Sequence, residues 1–269
     1  MTNAVSDTRA LESLLAFWRD AGVDACYGDA PVDHTHIKPT PTLKAVAKAT
    51  AAVAVPVSLD GGEAMAEARS LAAGAATLQD LAGAIAAFQG CPLRGMGASQ
   101  AVFARGDPAA PVLIVGEGPG AEEDRAGQPF VGKAGQLLDR MLEAAGLTGR
   151  VFITNTVFWR PPGNRAPTPQ EQAVCAPFVE RAFALLKPRV VLLLGASAAK
   201  SVLQADEGIM RLRGQWREWR LNEGDVSAPV MPTLHPAFLL RQPLAKRLAW
   251  ADILSLTARL ETAEVEIKG

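Results

Sequence analysis

The chain has 269 residues, 49% of them hydrophobic, which is enough to bury a full core, most simply in one large domain with an appendage. The formal net charge of −1 gives no global attraction to nucleic acid, so any contact with DNA must come from a local basic surface. Three cysteines cannot make a disulfide framework, and neither a signal peptide's apolar stretch nor the ~18 apolar residues of a membrane-spanning helix are found. These properties predict a cytoplasmic protein.

The sequence before the main domain predicts a short helical extension followed by a linker. In residues 1–37, apolar side chains from Leu11 to Trp18 recur at helical spacing. Residues 38–76 are rich in Ala, Pro, Val and Ser and have few large apolar side chains. Because such a composition buries too little surface to offset the entropy of ordering, we expect a flexible linker there. The main domain is then expected to span residues 77–262.

Short apolar runs alternate with segments of helical periodicity in the main domain. Strands are predicted at 112–116, 151–155, 190–195 and 229–233, and helices at 78–88, 134–145, 169–186, 196–204 and 245–260. Thr168 followed by Pro169 is typical of a helix start. The alternation predicts an α/β fold with a central parallel sheet and helices on both faces.

The first predicted strand leads into a glycine-rich loop, Gly116-Glu117-Gly118-Pro119-Gly120. Ligands of open α/β sheets bind at the carboxyl ends of strands, and glycines let the backbone approach a flat or anionic ligand closely. Glu117 is either a charged loop residue near a helix start, where the helix dipole favours an anion, or a catalytic group.

Three further side chains stand out, each with a structural and a functional interpretation. Phe130 lies in Gln128-Pro129-Phe130-Val131-Gly132, where a core aromatic is one interpretation. Asn155 ends a strand, where it either caps the turn or offers an amide donor and acceptor to a ligand. His235, held in a turn before Pro236, is either a structural residue or a rigidly placed hydrogen-bond donor.

In this order, these segments resemble the uracil-DNA glycosylase superfamily, most closely its fourth family, which is known for iron–sulfur enzymes. The resemblance runs from about Cys91 to about Asp252, and it depends most on the block from Gly116 to Leu138 and on the turn His235-Pro236-Ala237. It implies the three-layer fold of that superfamily. It also implies an enzyme of base excision repair that hydrolyses the N-glycosidic bond of deoxyuridine in DNA, releasing uracil and leaving an abasic site. We expect this enzyme to be a monomer.

The resemblance implies a role for each residue of the pocket. His235, as a neutral imidazole, would donate to the uracil oxygen that gathers charge. Glu117 would orient water or stabilise positive charge on the sugar, since the best-studied members carry an aspartate where Gly118 stands. Asn155 would read the N3–H and O4 of uracil, and Phe130 would stack on the flipped base.

Contacts with DNA are expected from basic side chains around the pocket, although charge runs are usually only solvated faces. The expected phosphate contacts are Arg160, Arg165, Arg213 and Arg241. Leu239, which follows the histidine turn, would enter the duplex and fill the gap left by the extruded nucleotide.

The cysteines depart from the pattern of the fourth family, which has four cysteine ligands. Cys91 and Cys175 match two of these positions, whereas Phe88 and Trp159 stand at the other two. Because two thiolates cannot hold a four-iron cluster that normally takes four, the sequence predicts no cofactor and no metal.

A second class of function remains open at this stage: a non-catalytic DNA-binding or DNA polymerase-associated module of the same fold. Retention of Glu117, Phe130, Asn155 and His235 together favours the enzyme. A third group of the superfamily bonds covalently to the abasic site, but it places a histidine after the Arg-Pro-Pro segment, and residues 164–167 contain none.

Overall fold

The computed structural model describes residues 61–221 and 226–268, with side chains described as far as residue 262. The expected helical extension at 1–37 lies outside these residues, as does the expected linker up to residue 60. Within the described part of the chain, no helix is both long enough and apolar enough to cross a bilayer.

The described residues contain nine α-helices and six strands. The helices are α1 (Gly61–Gly74), α2 (Leu78–Ala87), α3 (Ala121–Ala126), α4 (Lys133–Ala144), α5 (Pro169–Leu186), α6 (Gly195–Leu203), α7 (Ile209–Leu212), α8 (Pro236–Arg241) and α9 (Lys246–Lys268). The strands are β1 (Ala104–Gly106), β2 (Val112–Gly116), β3 (Val151–Asn155), β4 (Val190–Leu194), β5 (Arg217–Arg220) and β6 (Ser227–Thr233).

The strands form one sheet in the order β1-β3-β2-β4-β6-β5. The four central strands are parallel, which confirms the predicted α/β fold, whereas β1 and β5 pair antiparallel at the two edges. The edge strands escape prediction because Ala-Arg-Gly and Arg-Glu-Trp-Arg contain no apolar run, and edge strands are often short and charged.

Both faces of the sheet are covered, which gives the three-layer arrangement. Val112 and Ile114 of β2 pack in a cluster with residues of α4 and α9. Leu113 and Val115, which point to the opposite face, pack in a second cluster with residues of α1, α2 and α5. The carboxyl ends of the parallel strands are left free to carry the loops that form the site.

Helix α1 corrects the expected extent of the linker. Residues 61–74, expected to be flexible, form a helix that buries Ala64, Ala68 and Ala72 and packs against α5. Alanines four residues apart lie on one face and let two helix backbones approach closely, so packing compensates for the lack of large apolar side chains. Arg181 of α5 also donates to the carbonyl of Ala75, just beyond the end of α1.

Candidate active site

A cleft of about 370 Å³ lies at the carboxyl ends of β2 and β3, beside the turn that follows β6. It brings together six of the predicted site residues: Glu117, Gly118, Phe130, Arg165, His235 and Arg241. Loops from different parts of the chain meet here because the carboxyl ends of parallel strands share one edge of the layer.

His235 is held as a neutral hydrogen-bond donor. It caps the N-terminus of α8, where its Nδ1 accepts the backbone N–H of Ala237 at 3.1 Å and Pro236 occupies the first helical position. Burial and, to a smaller extent, the positive charge of Arg241 lower the pKa of His235 to about 4, against the opposing effect of Glu123. Because Nδ1 accepts, the proton of the neutral ring must be on Nε2.

Glu117 is half-buried and also lines the cleft. Burial raises the pKa of its carboxyl group, and a hydrogen bond with Ser197 partly offsets this effect. The backbone carbonyl of Glu117 accepts the hydroxyl of Thr156 at 2.6 Å. The carboxyl group is therefore held in a partly desolvated position, where electrostatic interactions are stronger than in water.

Phe130 adopts a left-handed backbone conformation, with φ of 56°. Arg105 supports this conformation by donating to the carbonyls of Pro129 and Phe130, at 2.8 and 3.2 Å. Gly135 is required beside it, because any Cβ there would overlap the carbonyl of Phe130. The ring of Phe130 lies 5.7 Å from that of His235, centroid to centroid, and both residues line the cleft. Strain of this kind is typical of ligand-binding sites.

Asn155 is the last residue of β3 and is only 1% exposed. Neither its amide nitrogen nor its amide oxygen has a hydrogen-bond partner among the described residues. Gly116 lies beside it, and a Cβ at Gly116 would overlap both Asn155 Oδ1 and the ring of Phe130. An unpaired buried amide costs about 1–3 kcal/mol. Asn155 itself is not among the residues that line the cleft, although its neighbour Phe130 is.

Glu123 was not predicted, although it connects two segments of the site. Its carboxylate accepts the backbone N–H groups of Val131 and Gly132 at 3.1 and 2.9 Å, and that of Gly120 at 3.0 Å. One side chain thus ties the glycine-rich loop to the segment that carries Phe130. The only sequence signal is a glutamate three residues after the N-cap Gly120, from where its side chain can reach back to the N-cap N–H.

Three of the arginines expected to contact DNA lie in or beside the cleft. Arg165 forms a bidentate ion pair with the buried Glu171, which lowers the pKa of that carboxyl group. Arg160 donates to Asn164, a residue of the cleft wall, at 2.7 Å. Arg241 is exposed at the cleft. Arg165 and Arg241 therefore line the cleft, and Arg160 contacts its wall.

Two other residues expected to contact DNA are not brought to the cleft. Arg213 pairs with the buried Asp252 and donates to the carbonyl of Leu248 at 2.8 Å, which leaves its side chain 17% exposed. Leu239 is fully buried, whereas its neighbour Leu240 is 42% exposed. The sequence alone could not separate these adjacent leucines, because the short helix α8 decides which one faces the core.

The three-layer fold, with these residues at the carboxyl ends of its strands, is that of a base-excising DNA repair enzyme. A family profile described as the uracil DNA glycosylase superfamily matches residues 103–254. The chain belongs to this superfamily and, within it, to the type-4 uracil-DNA glycosylases, as its relatives demonstrate.

Three of these relatives are curated type-4 uracil-DNA glycosylases. That of Thermotoga maritima is 39% identical over 153 residues, which cover 56% of this chain and 77% of the relative. That of Pyrobaculum aerophilum is 40% identical over 158 residues, with coverages of 57% and 79%. That of Sulfurisphaera tokodaii is 35% identical over 182 residues, with coverages of 64% and 82%.

Membership of the type-4 family corrects the expectation that the protein has no cofactor, because this family binds an iron–sulfur cluster. The buried Cys91 and Cys175 lie together, with their Sγ atoms 3.9 Å apart. Phe88 and Trp159 are fully buried in the same core cluster, with ring centroids 6.3 Å apart. Cys26 lies outside the described residues.

The described side chains supply only part of a cluster's ligand set. No group of three or more His, Cys, Asp or Glu side chains among them could hold a metal ion. The pair formed by Cys91 and Cys175 does not by itself fit a cluster that takes four protein ligands.

Proposed function

We propose that the protein is a monofunctional uracil-DNA glycosylase, which hydrolyses the N-glycosidic bond of deoxyuridine in DNA and leaves an abasic site for base excision repair. The observation that carries this proposal is the buried, unpaired amide of Asn155. Its oxygen can accept the N3–H of uracil while its nitrogen donates to O4. In cytosine, N3 is an acceptor and would face the amide oxygen of Asn155, and the exocyclic amino group is a donor and would face the amide nitrogen. The same amide therefore rejects cytosine.

The residues of the cleft supply the parts that base excision requires. As the C1′–N1 bond breaks, the electron pair leaves with uracil and positive charge develops on the sugar. With Asn155 on the N3 and O4 edge, the remaining oxygen, O2, is left for the Nε2–H of His235, which stabilises the leaving anion. Phe130 stacks on the base. A water molecule adds to C1′, and the carboxylate of Glu117 orients this water and accepts its proton.

DNA binding is proposed to use Arg160, Arg165 and Arg241 at the cleft. We propose that Leu240, which is exposed, takes the role that the sequence assigned to Leu239, since a buried leucine cannot enter a duplex without unfolding α8. Arg241→Ala should weaken binding to all DNA sequences and reduce the slope of log K against log salt by about one. Arg213 supplies the control position, because it does not line the cleft and its side chain is 17% exposed, against 39% for Arg165.

The test of the function is excision from a uracil-containing oligonucleotide, single- and double-stranded, followed by alkaline cleavage of abasic sites. We expect strand scission with the wild-type protein and none with cytosine in place of uracil. His235→Ala should lower the single-turnover rate by about 10²–10³-fold, the usual effect of removing a donor to a developing anion. A wild-type protein that binds both substrates without cleaving either would contradict the proposal and favour the non-catalytic module.

The protein is further proposed to act as a monomer in the cytoplasm, where its DNA substrate lies. In support, one chain provides every side chain to which a catalytic role is given above. Light scattering should give the mass of a single chain, 28.3 kDa, both free and after excision. Cell fractionation should recover the protein with the cytoplasmic fraction.

A further inference from the structure

Three polar side chains outside the proposed catalytic set form a connected hydrogen-bond network around Glu117. The amide nitrogen of Gln172, on α5, lies 3.1 Å from Thr156 Oγ1 and 3.0 Å from Ser197 Oγ. Thr156 Oγ1 lies 2.6 Å from the backbone carbonyl of Glu117. Thr156 follows β3 and Ser197 lies in the first turn of α6, so the network connects three elements beneath the glycine-rich loop.

The direction of each hydrogen bond in this network is determined by chemistry. A carbonyl oxygen can only accept, so the hydroxyl of Thr156 must donate to Glu117. Thr156 Oγ1 must then accept from Gln172, which requires the amide nitrogen of Gln172 to face it. The same nitrogen donates to Ser197 Oγ, and the hydroxyl proton of Ser197 is therefore free to point elsewhere.

The carboxyl group of Glu117 lies close enough to Ser197 for this side chain to lower its pKa. The hydroxyl of Thr156 thus donates to the backbone of Glu117, and the hydroxyl proton of Ser197 is free to turn toward the side chain of Glu117. Ser197 is partly exposed, whereas Thr156 is buried, so the network extends from the core to the cleft.

We propose that Gln172, Thr156 and Ser197 are positioning residues that hold the Glu117 carboxylate toward the attacking water. The inference rests on the proposed function and deepens it, since it assigns these residues to the proposed hydrolytic site. Gln172 orients the two hydroxyls, and these orient Glu117. A donor to the carboxylate also stabilises its ionised form, in which Glu117 accepts a proton from water.

Other charged groups face the same cleft and could affect its pH dependence. These are Glu123, Arg165, His235 and Arg241. None of the variants below removes these groups, and only Gln172→Glu adds a carboxyl group, so in the uncharged variants a shift from wild type reports on Glu117. Acid titration of His235 at its low pKa is common to all variants.

The experiment measures single-turnover uracil excision against pH for six variants, one of which, Glu117→Gln, removes the carboxylate itself. Ser197→Ala removes the donor to Glu117, and Ser197→Thr retains a hydroxyl. Gln172→Met removes the donor to both hydroxyls, whereas Gln172→Glu places acceptors there and turns both hydroxyls away from Glu117. Ser201→Ala, one turn further along α6, is the matched control, since Ser201 is not a member of the network.

We expect Ser197→Ala to lower the maximal rate by about tenfold, as for the loss of a hydrogen bond to a charged group, with KM unchanged. Its acid limb should move to higher pH, because loss of the donor raises the pKa of Glu117. Ser197→Thr should recover most of the rate. Gln172→Glu should be slower than Gln172→Met, and Ser201→Ala should match wild type.

Wild-type rates and pH profiles for Ser197→Ala and Gln172→Glu, with Glu117→Gln inactive, would overturn the inference and leave the proposed function intact. Equal losses in Gln172→Met and Gln172→Glu with no shift of the acid limb would also overturn it, because they would indicate packing alone. A wild-type protein inert on uracil DNA would overturn both the proposed function and the inference.

Discussion

Gly195 and His235 lie so close together that a Cβ added to Gly195 would be 2.9 Å from the Cβ of His235. Gly195 begins α6 and has φ of +89°, a conformation that side chains rarely adopt. The end of β4 and the turn after β6 thus fit together only because Gly195 has no side chain. The place of His235 in the cleft depends on this contact.

We expect Gly195→Ala to lower the rate of uracil excision by about 10²-fold, because a displacement of about 1 Å in a catalytic group costs this much. The strained φ should also destabilise the protein by about 1–3 kcal/mol, measurable by chemical denaturation. Gly83→Ala in α2 is the control. A Cβ at this position meets nothing within 4 Å, and alanine is favoured over glycine in a helix interior. Full activity in Gly195→Ala would contradict this account.

The parts of the fold that sequence predicts well are those buried on both sides. Residues 112–116 and 151–155 form strands with the predicted bounds, because a continuous apolar run has few other stable arrangements. The pairing of Arg213 with Asp252 joins residues 39 positions apart and has no local signal. Ser197 and Glu123 likewise resemble ordinary polar helix residues until the fold brings their partners to them.

Asn155 should show a trade-off between stability and activity. Its amide is buried without a partner, so Asn155→Leu, which is close to it in size, should stabilise the protein by about 1–3 kcal/mol in denaturant unfolding. The same change should abolish selective uracil excision, because the base edge loses both polar contacts. Asn155→Asp should also lose excision, since an acceptor replaces the donor to O4. Unchanged excision by either variant would remove Asn155 from the site.

Arg105 should affect activity through Phe130, whose backbone carbonyl it binds. Arg105→Ala removes both hydrogen bonds to the carbonyls of Pro129 and Phe130, so the left-handed conformation of Phe130 loses its support. Loss of base stacking on an aromatic ring costs about 1–3 kcal/mol, and we expect an increase in KM of about 5- to 150-fold. Asp139→Asn is the control, because it alters only the half-exposed partner of Arg105. Equal KM values in the two variants would assign the effect to the ion pair instead.

His235 should make the protein less stable at acidic pH. Its pKa is about 4 in the folded protein, against 6.5 for an ordinary histidine, so between these values the unfolded chain binds more protons. The contribution of His235 to the free energy of unfolding is therefore constant above pH 6.5 and falls by about 3 kcal/mol in total as the pH approaches 4.

Glu117 and Asp252, whose pKa values are raised by burial, change the free energy of unfolding in the opposite direction, so wild type must be compared with His235→Gln. The free energy of unfolding measured by urea titration should decline more steeply from pH 6.5 to 4 in wild type than in His235→Gln. Parallel curves would show that the imidazole is solvated, and that the hydrogen bond from Ala237 does not keep it neutral.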